Sequence, residues 1–162
     1  MKKIFLAMAT IMICAANCLA QDIDKVFDKF SETPGVKVIN VGKQLLKQGF
    51  KLGDSGDGKS GVINIGGGKE GADLDNARVL MAESADADLR NRLGRMVKET
   101  ELDKNGYEQL VNTNGEDQKV SVYGLPDGEL FKSLVVFVDA KDALVLVKVD
   151  GKIDIRKFLG GK

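Results

Sequence analysis

The chain has 162 residues, 24 of them basic and 24 acidic, with two cysteines, no histidine and no tryptophan. A balanced charge without a basic block argues against nucleic acid as the main partner. With no histidine, and with Cys14 and Cys18 both near the N-terminus, the rest of the chain cannot build an ordinary zinc site or a Ser-His or Cys-His nucleophile pair.

Residues 1–20 read MKKIFLAMATIMICAANCLA: Lys2 and Lys3, then an uncharged apolar stretch, then Cys18-Leu19-Ala20 with small residues where a signal peptidase cuts. This is the layout of a secretory signal peptide and is too short for a membrane anchor. Cleavage before Gln21 removes both cysteines and leaves a net charge of about −2. The alternative within export is acylation of Cys18, the one route by which a membrane becomes a partner. The expected product is an exported, periplasmic or cell-envelope protein whose residues 21–162 form one α+β domain without disulfides.

Along that domain, Asp22 followed by Ile23, Val26, Phe27 and Phe30 predicts an N-capped amphipathic helix, stopped by Thr33-Pro34-Gly35. VKVINV at 36–41 predicts a strand, and KQLLKQGF at 43–50 a short helix ending near Gly49. Residues 53–76 are rich in Gly and Asp and predict a loop, with one marginal strand around Val62, Ile63 and Ile65. RVLMAE at 78–83 predicts a strand. Ser84 is the expected cap of a helix to about Thr100, with Leu89, Leu93, Met96 and Val97 as its buried stripe. Asp86 and Asp88 start that helix, while Arg92, Arg95 and Lys98 crowd its end, as the macrodipole favours.

Asn105-Gly106 breaks the chain before YEQLVNT. The last third then predicts a β-meander, KVSVY, ELFKSLVVFV, ALVLVKV and KIDI, with turns at LPDG, DAKD and DG. The expected fold is therefore α+β, mainly antiparallel, with the C-terminal meander packed against two or three helices. Strand 130–138 is apolar on both sides, with Leu134, Val136 and Val138 on one and Val135 and Phe137 on the other. Two covered faces within one molecule explain this. The sharper expectation is an interaction face at Val135 and Phe137, meeting another envelope protein or a second copy.

GDSGDGKS at 53–60 matches the nucleotide-binding pattern G-x-x-x-x-G-K-[ST] but not its setting. The preceding segment is helix-like and charged, glycines prevent a following helix, and Asp54 and Asp57 would repel phosphate. LVVFVD, ending at Asp139, imitates the accompanying strand but lies among antiparallel hairpins. No nucleotide is expected. Asp54, Asp57, Asp73 and Asp75 lack the spacing of an EF-hand and offer at most weak calcium binding.

DIDKVFDKF, PGVKVINV, RVLMAE, NGYEQLVNTNGEDQKVSVY and ELFKSLVVFVDAKDALVLVKVDGKIDI together resemble the bacterial domain-of-unknown-function 4252 family, over roughly residues 22 to 158. The resemblance implies a signal peptide, a helix-strand start, a Tyr-Glu-x-Leu segment and a terminal hairpin. It implies no catalytic residue and no cofactor. The sequence favours a non-enzymatic protein-interaction module of the cell envelope. The alternative is a small-ligand or lipid-binding domain with a pocket lined by Phe27, Phe30, Leu89, Leu93 and Phe137. The third reading is a carboxylate-based enzyme with Tyr107 and Glu108 beside the Asn105-Gly106 turn.

Overall fold

The computed structural model describes residues 22–52, 63–65 and 72–156. Residues 1–20, expected to be a signal peptide and containing Cys18, the nucleotide-binding look-alike at 53–60, and Asp54, Asp57 and Val62 lie outside the described residues.

Helix α1 spans Ile23–Phe30; the Asp22 side chain caps it by accepting from the Asp24 N–H. Its four apolar residues, Ile23, Val26, Phe27 and Phe30, are all buried, as their helical spacing requires. Strand β1 (Val36–Gly42) leads directly into α2 (Lys43–Gln48), which ends at Gly49. The short strands β2 (Phe50–Leu52) and β3 (Ile63–Ile65) pair with each other. Then come β4 (Ala72–Glu83), α3 (Ala87–Glu99), β5 (Glu108–Asn114), β6 (Gln118–Asp127), β7 (Leu130–Ala140) and β8 (Ala143–Ile153).

The main sheet has six strands in the order β1-β4-β8-β7-β6-β5, every pair antiparallel. After β4 the chain crosses the sheet through α3 to the far edge, then returns as the meander β5 to β8. The last strand fills the gap beside β4. Alternation along the strands sorts the interior into two layers. Leu80, Ala82, Val135, Leu144 and Leu146 pack beneath α1 and α3. On the opposite face Val79, Leu134, Val145, Val147 and Ile153 gather with Leu46 of α2. The α+β meander expected from the sequence is the fold.

Four local expectations are corrected. Residues 72–76 are strand, not loop, because they pair with the end of β8 from Ala72↔Ile153 onward. A register shift between Leu74 and Asn76 breaks the apolar alternation that would have announced this strand. The cap of α3 is Asp86, whose carboxylate accepts from the Leu89 N–H at 2.8 Å. Ser84 sits in the preceding turn at φ +52° and donates its N–H to the Asp142 carbonyl. Leu125, Pro126 and Asp127 belong to β6 and pair with β7, so the turn begins only at Gly128.

Finally, Asp150-Gly151 is no turn. Strand β8 runs through it, with shifted register against both neighbours. A Cβ on Gly151 would overlap the Asp73 carbonyl oxygen and stand 2.8 Å from Leu74 Cα, so β4 and β8 approach there only because the residue is glycine.

Candidate functional site

Two inward-facing cations interrupt the apolar alternation of the central strands: Arg78 on β4 and Lys148 on β8. Both meet Asp24 of α1, with Arg78 Nη1 at 3.2 Å from Oδ1 and Lys148 Nζ at 2.8 Å from Oδ2. Arg78 also donates to Asp28 at 2.7 Å and lies 4.9 Å from the centre of the Phe27 ring. Lys148 is shared with Asp150 at 3.4 Å, and Asn76 donates to that same carboxylate. The Arg78 and Lys148 side chains are only 19% and 12% exposed, so this network locks α1 onto the sheet in a largely dry setting. Burial opposes the charged form of Asp24, but Lys148 and Arg78 outweigh it and hold the carboxyl below its ordinary value. Burial likewise opposes the Lys148 cation, yet Asp24 and Asp150 raise its pKa.

Beside this network lies an open pocket of about 530 Å³, bordered by Leu102, Tyr107, Lys132, Ser133, Lys148 and Asp150. A tight turn aims Tyr107 into it. The Tyr107 N–H donates to the Leu102 carbonyl, and the Asn105 side chain donates to the Thr100 carbonyl at 2.7 Å. Tyr107 Oη donates to Ser133 Oγ at 3.2 Å, and burial raises the phenol's pKa. Tyr107 is thus a neutral donor at neutral pH, and Lys148 an ammonium engaged by carboxylates. Neither is poised there as a base or a nucleophile. Glu108, named with Tyr107 from the sequence, is exposed on β5 and does not border the pocket.

The second concavity runs along α3. Leu93, Met96 and Val97 turn into the core, and Arg90 anchors the helix start. Its guanidinium pairs with Asp139 and donates to the carbonyls of Ala140 and Lys141, each at 2.7 Å. Beyond this clamp a groove of about 550 Å³ opens between α3 and the helix-facing side of β5, β6 and β7. Phe137, Tyr123 and Val97 border it as apolar surface, and Arg95, Lys98 and Lys119 as cations. Past Lys98 and Tyr123 it continues as a smaller hollow of about 340 Å³ that reaches Gln109 and Tyr107.

This geometry divides the pair marked from the sequence as an interaction face. Val135 is wholly buried under the helices and offers no surface. Phe137, two residues on, is half-buried and borders the groove. Phe27, Phe30 and Leu93, expected to line a ligand pocket, are closed in the core at 1% exposure or less. Asp73 and Asp75 both pair with Lys43, at 3.4 and 2.8 Å. Among the described residues no cluster of three or more acidic side chains is arranged to hold a metal.

Sequence reasoning missed Arg78, Lys148 and Asp24 as a unit. The available signal was a charged residue at an inward position of each of two apolar strands. It read Arg95 and Lys98 only as complements of the helix dipole.

A family model described as "Domain of unknown function (DUF4252)" matches residues 30–158, and the chain belongs to that family. No curated protein and no solved structure matches the chain.

Proposed function

We propose that this family member is an exported cell-envelope protein that works by binding another protein rather than by catalysis, and that the groove along α3 is the binding surface. The observation that carries this is the groove's composition. Two aromatic side chains, Phe137 and Tyr123, half-buried against the helix-side core, border an open cleft with three cations about it. Aromatic residues within a polar, solvent-open border are the usual anatomy of a protein-binding patch. Export rests on the signal-peptide layout of residues 1–20, and the absence of catalysis on the chemistry available after residue 20.

The test is affinity capture from crosslinked cell envelopes with tagged protein, run beside a Phe137→Ala variant of unchanged melting temperature. One envelope protein recovered near stoichiometrically, and lost with the variant, supports the proposal. Recovery of the bait alone, or of more copies of this chain alone, removes the second-protein reading. Mass spectrometry of the exported protein reports whether it begins at Gln21 or carries an acyl chain on Cys18.

A second reading has one observation in its favour. The pocket at Tyr107 and Ser133 has the volume of a small-molecule site, and its polar groups converge from three elements. Lys148 and Asp150 there are already paired with each other, while Lys132 and Asp22 at its border have no ion-pair partner among the described residues. The protein-binding reading stands first on the groove's composition.

A further inference from the structure

We infer that the groove along α3 recognises an acidic, extended segment of its partner, with aromatic or apolar side chains alternating with carboxylates. This rests on the protein-binding reading above and adds the partner's chemistry.

The argument starts from which charges are already used. Arg90 is consumed by Asp139 and by backbone carbonyls, and Arg92 pairs with Asp88 and lies 5.7 Å from the centre of the Phe30 ring. Arg95, Lys98 and Lys119 have no ion-pair partner among the described residues, yet all three border one groove. Asp139, which borders the same hollow, is neutralised by Arg90; in the continuation Glu101 pairs with Lys104, and Asp103 is the remaining acid. A chain with equal numbers of basic and acidic residues therefore concentrates about three unanswered positive charges along one cleft. Such a local field selects for anions and speeds their encounter.

Shape then narrows the anion to a peptide. Asn91, Arg95 and Lys98 recur at i, i+4 and i+7, so they form a stripe down α3 rather than a point. The groove flanks α3 from Arg90 to Lys98, about 14 Å of helix, and its continuation runs on past the helix end to Asp103, for a path of roughly 20 Å. About six residues of extended chain cover that distance. A single phosphate would fill only a small part of a cleft of about 550 Å³.

Gly94 supports the same reading. It costs a mid-helix position about 1 kcal/mol of helix propensity, and a Cβ built on it meets nothing within 4 Å. No packing among the described residues demands a glycine there. Its bareness leaves space at the middle of the groove's helical wall, where an incoming backbone can approach closely.

The test uses defined probes: labelled hexapeptides alternating glutamate with phenylalanine, their lysine-phenylalanine counterparts, and a heparin oligosaccharide, read by fluorescence anisotropy. The wild type should bind the acidic peptide about tenfold or more tightly than the basic one, with the difference shrinking as salt is raised. The double variant Arg95→Glu/Lys98→Glu changes only exposed side chains and should reverse the preference while keeping its melting temperature. Equal affinity for both peptides, unchanged preference in the double variant, or binding of heparin without the acidic peptide overturns the inference. The capture experiment separates this from the broader proposal. An envelope partner that is lost with Phe137→Ala but retained by Arg95→Glu/Lys98→Glu keeps the interaction module and overturns its acidic specificity.

Discussion

Replacing Asp24 with asparagine removes one charge from the centre of the network that holds α1 to the sheet. The carboxylate serves Lys148 through Oδ2 and Arg78 through Oδ1, and an amide can accept with only one of those atoms. Leaving a buried cation unpaired costs about 3–5 kcal/mol, but here neither cation is left alone. Arg78 keeps Asp28 at 2.7 Å, and Lys148 keeps Asp150 at 3.4 Å. The loss is therefore closer to one hydrogen bond between charged groups, about 1.5–3 kcal/mol. Asp24 is itself 34% exposed, and solvent screening brings the expectation to about 2 kcal/mol. That corresponds to a melting temperature lower by about 6 °C for a domain of this size.

Urea titrations of both proteins at several pH values check the figure and its origin. The partners hold the folded Asp24 below its ordinary value of 3.8. Its contribution is thus fully present above that value and is lost as pH falls through the depressed one. The gap between wild type and Asp24→Asn should be constant from neutral pH down to about 5 and then close in acid. A gap below about 0.5 kcal/mol at neutral pH, or one that persists unchanged in acid, refutes the reasoning.

Other outcomes follow from the same geometry. Gly151→Ala forces a Cβ into the β4 backbone at the bulge and should destabilise by about 2–4 kcal/mol, read as a lower urea midpoint. Gly94→Ala should do the opposite and raise stability by about 0.5–1 kcal/mol, since its methyl group enters open space. Arg90→Met removes the bonds from α3 to Asp139, Ala140 and Lys141; hydrogen exchange should speed up in the first turn of α3 and the β7–β8 turn, with little change in β4. Lys148→Met, losing a cation whose pKa is raised by Asp24 and Asp150, should abolish the part of the stability that wild type loses as pH rises past about 10.5, as followed by circular dichroism.

Most elements were legible because their signal is local. Helix α1 combines a capping Asp22 with a four-residue apolar stripe, and strands β6 to β8 carry β-branched runs that stand out in any reading. What escaped was set by partners distant in sequence. Residues 72–76 look like loop because Asp73, Asp75 and Asn76 disfavour a strand, and the pairing with β8 overrides that preference. Asp150-Gly151 looks like a hairpin turn because that dipeptide is one of the strongest turn signals. Pairing with β4 and β7 on either side carries β8 continuously through it. The site was half legible in the same way. Phe137 and Tyr107 were visible as unusual residues, but Lys119 joins Arg95 only after the chain has crossed the sheet and come back.

The fold itself explains why a groove exists where Lys119 and Arg95 meet. Six strands spaced about 4.8 Å apart make a sheet close to 29 Å wide, whereas a packed helix covers about 10 Å. Two helices on one face leave roughly two strands uncovered. Helix α1 is fastened over β4 and β8 by the Asp24 network, and Arg90 ties the start of α3 to the β7–β8 turn, so the bare strip falls on β5 and β6. An uncovered strip needs only polar side chains to stay soluble, and Ser121, Asn112 and Asn114 meet that need. Tyr123 and Phe137 exceed it, as do three cations with no ion-pair partner among the described residues. The groove is therefore a consequence of helix count, while the residues around it are not. Family members with the same two helices should keep the cleft whatever residues stand around it.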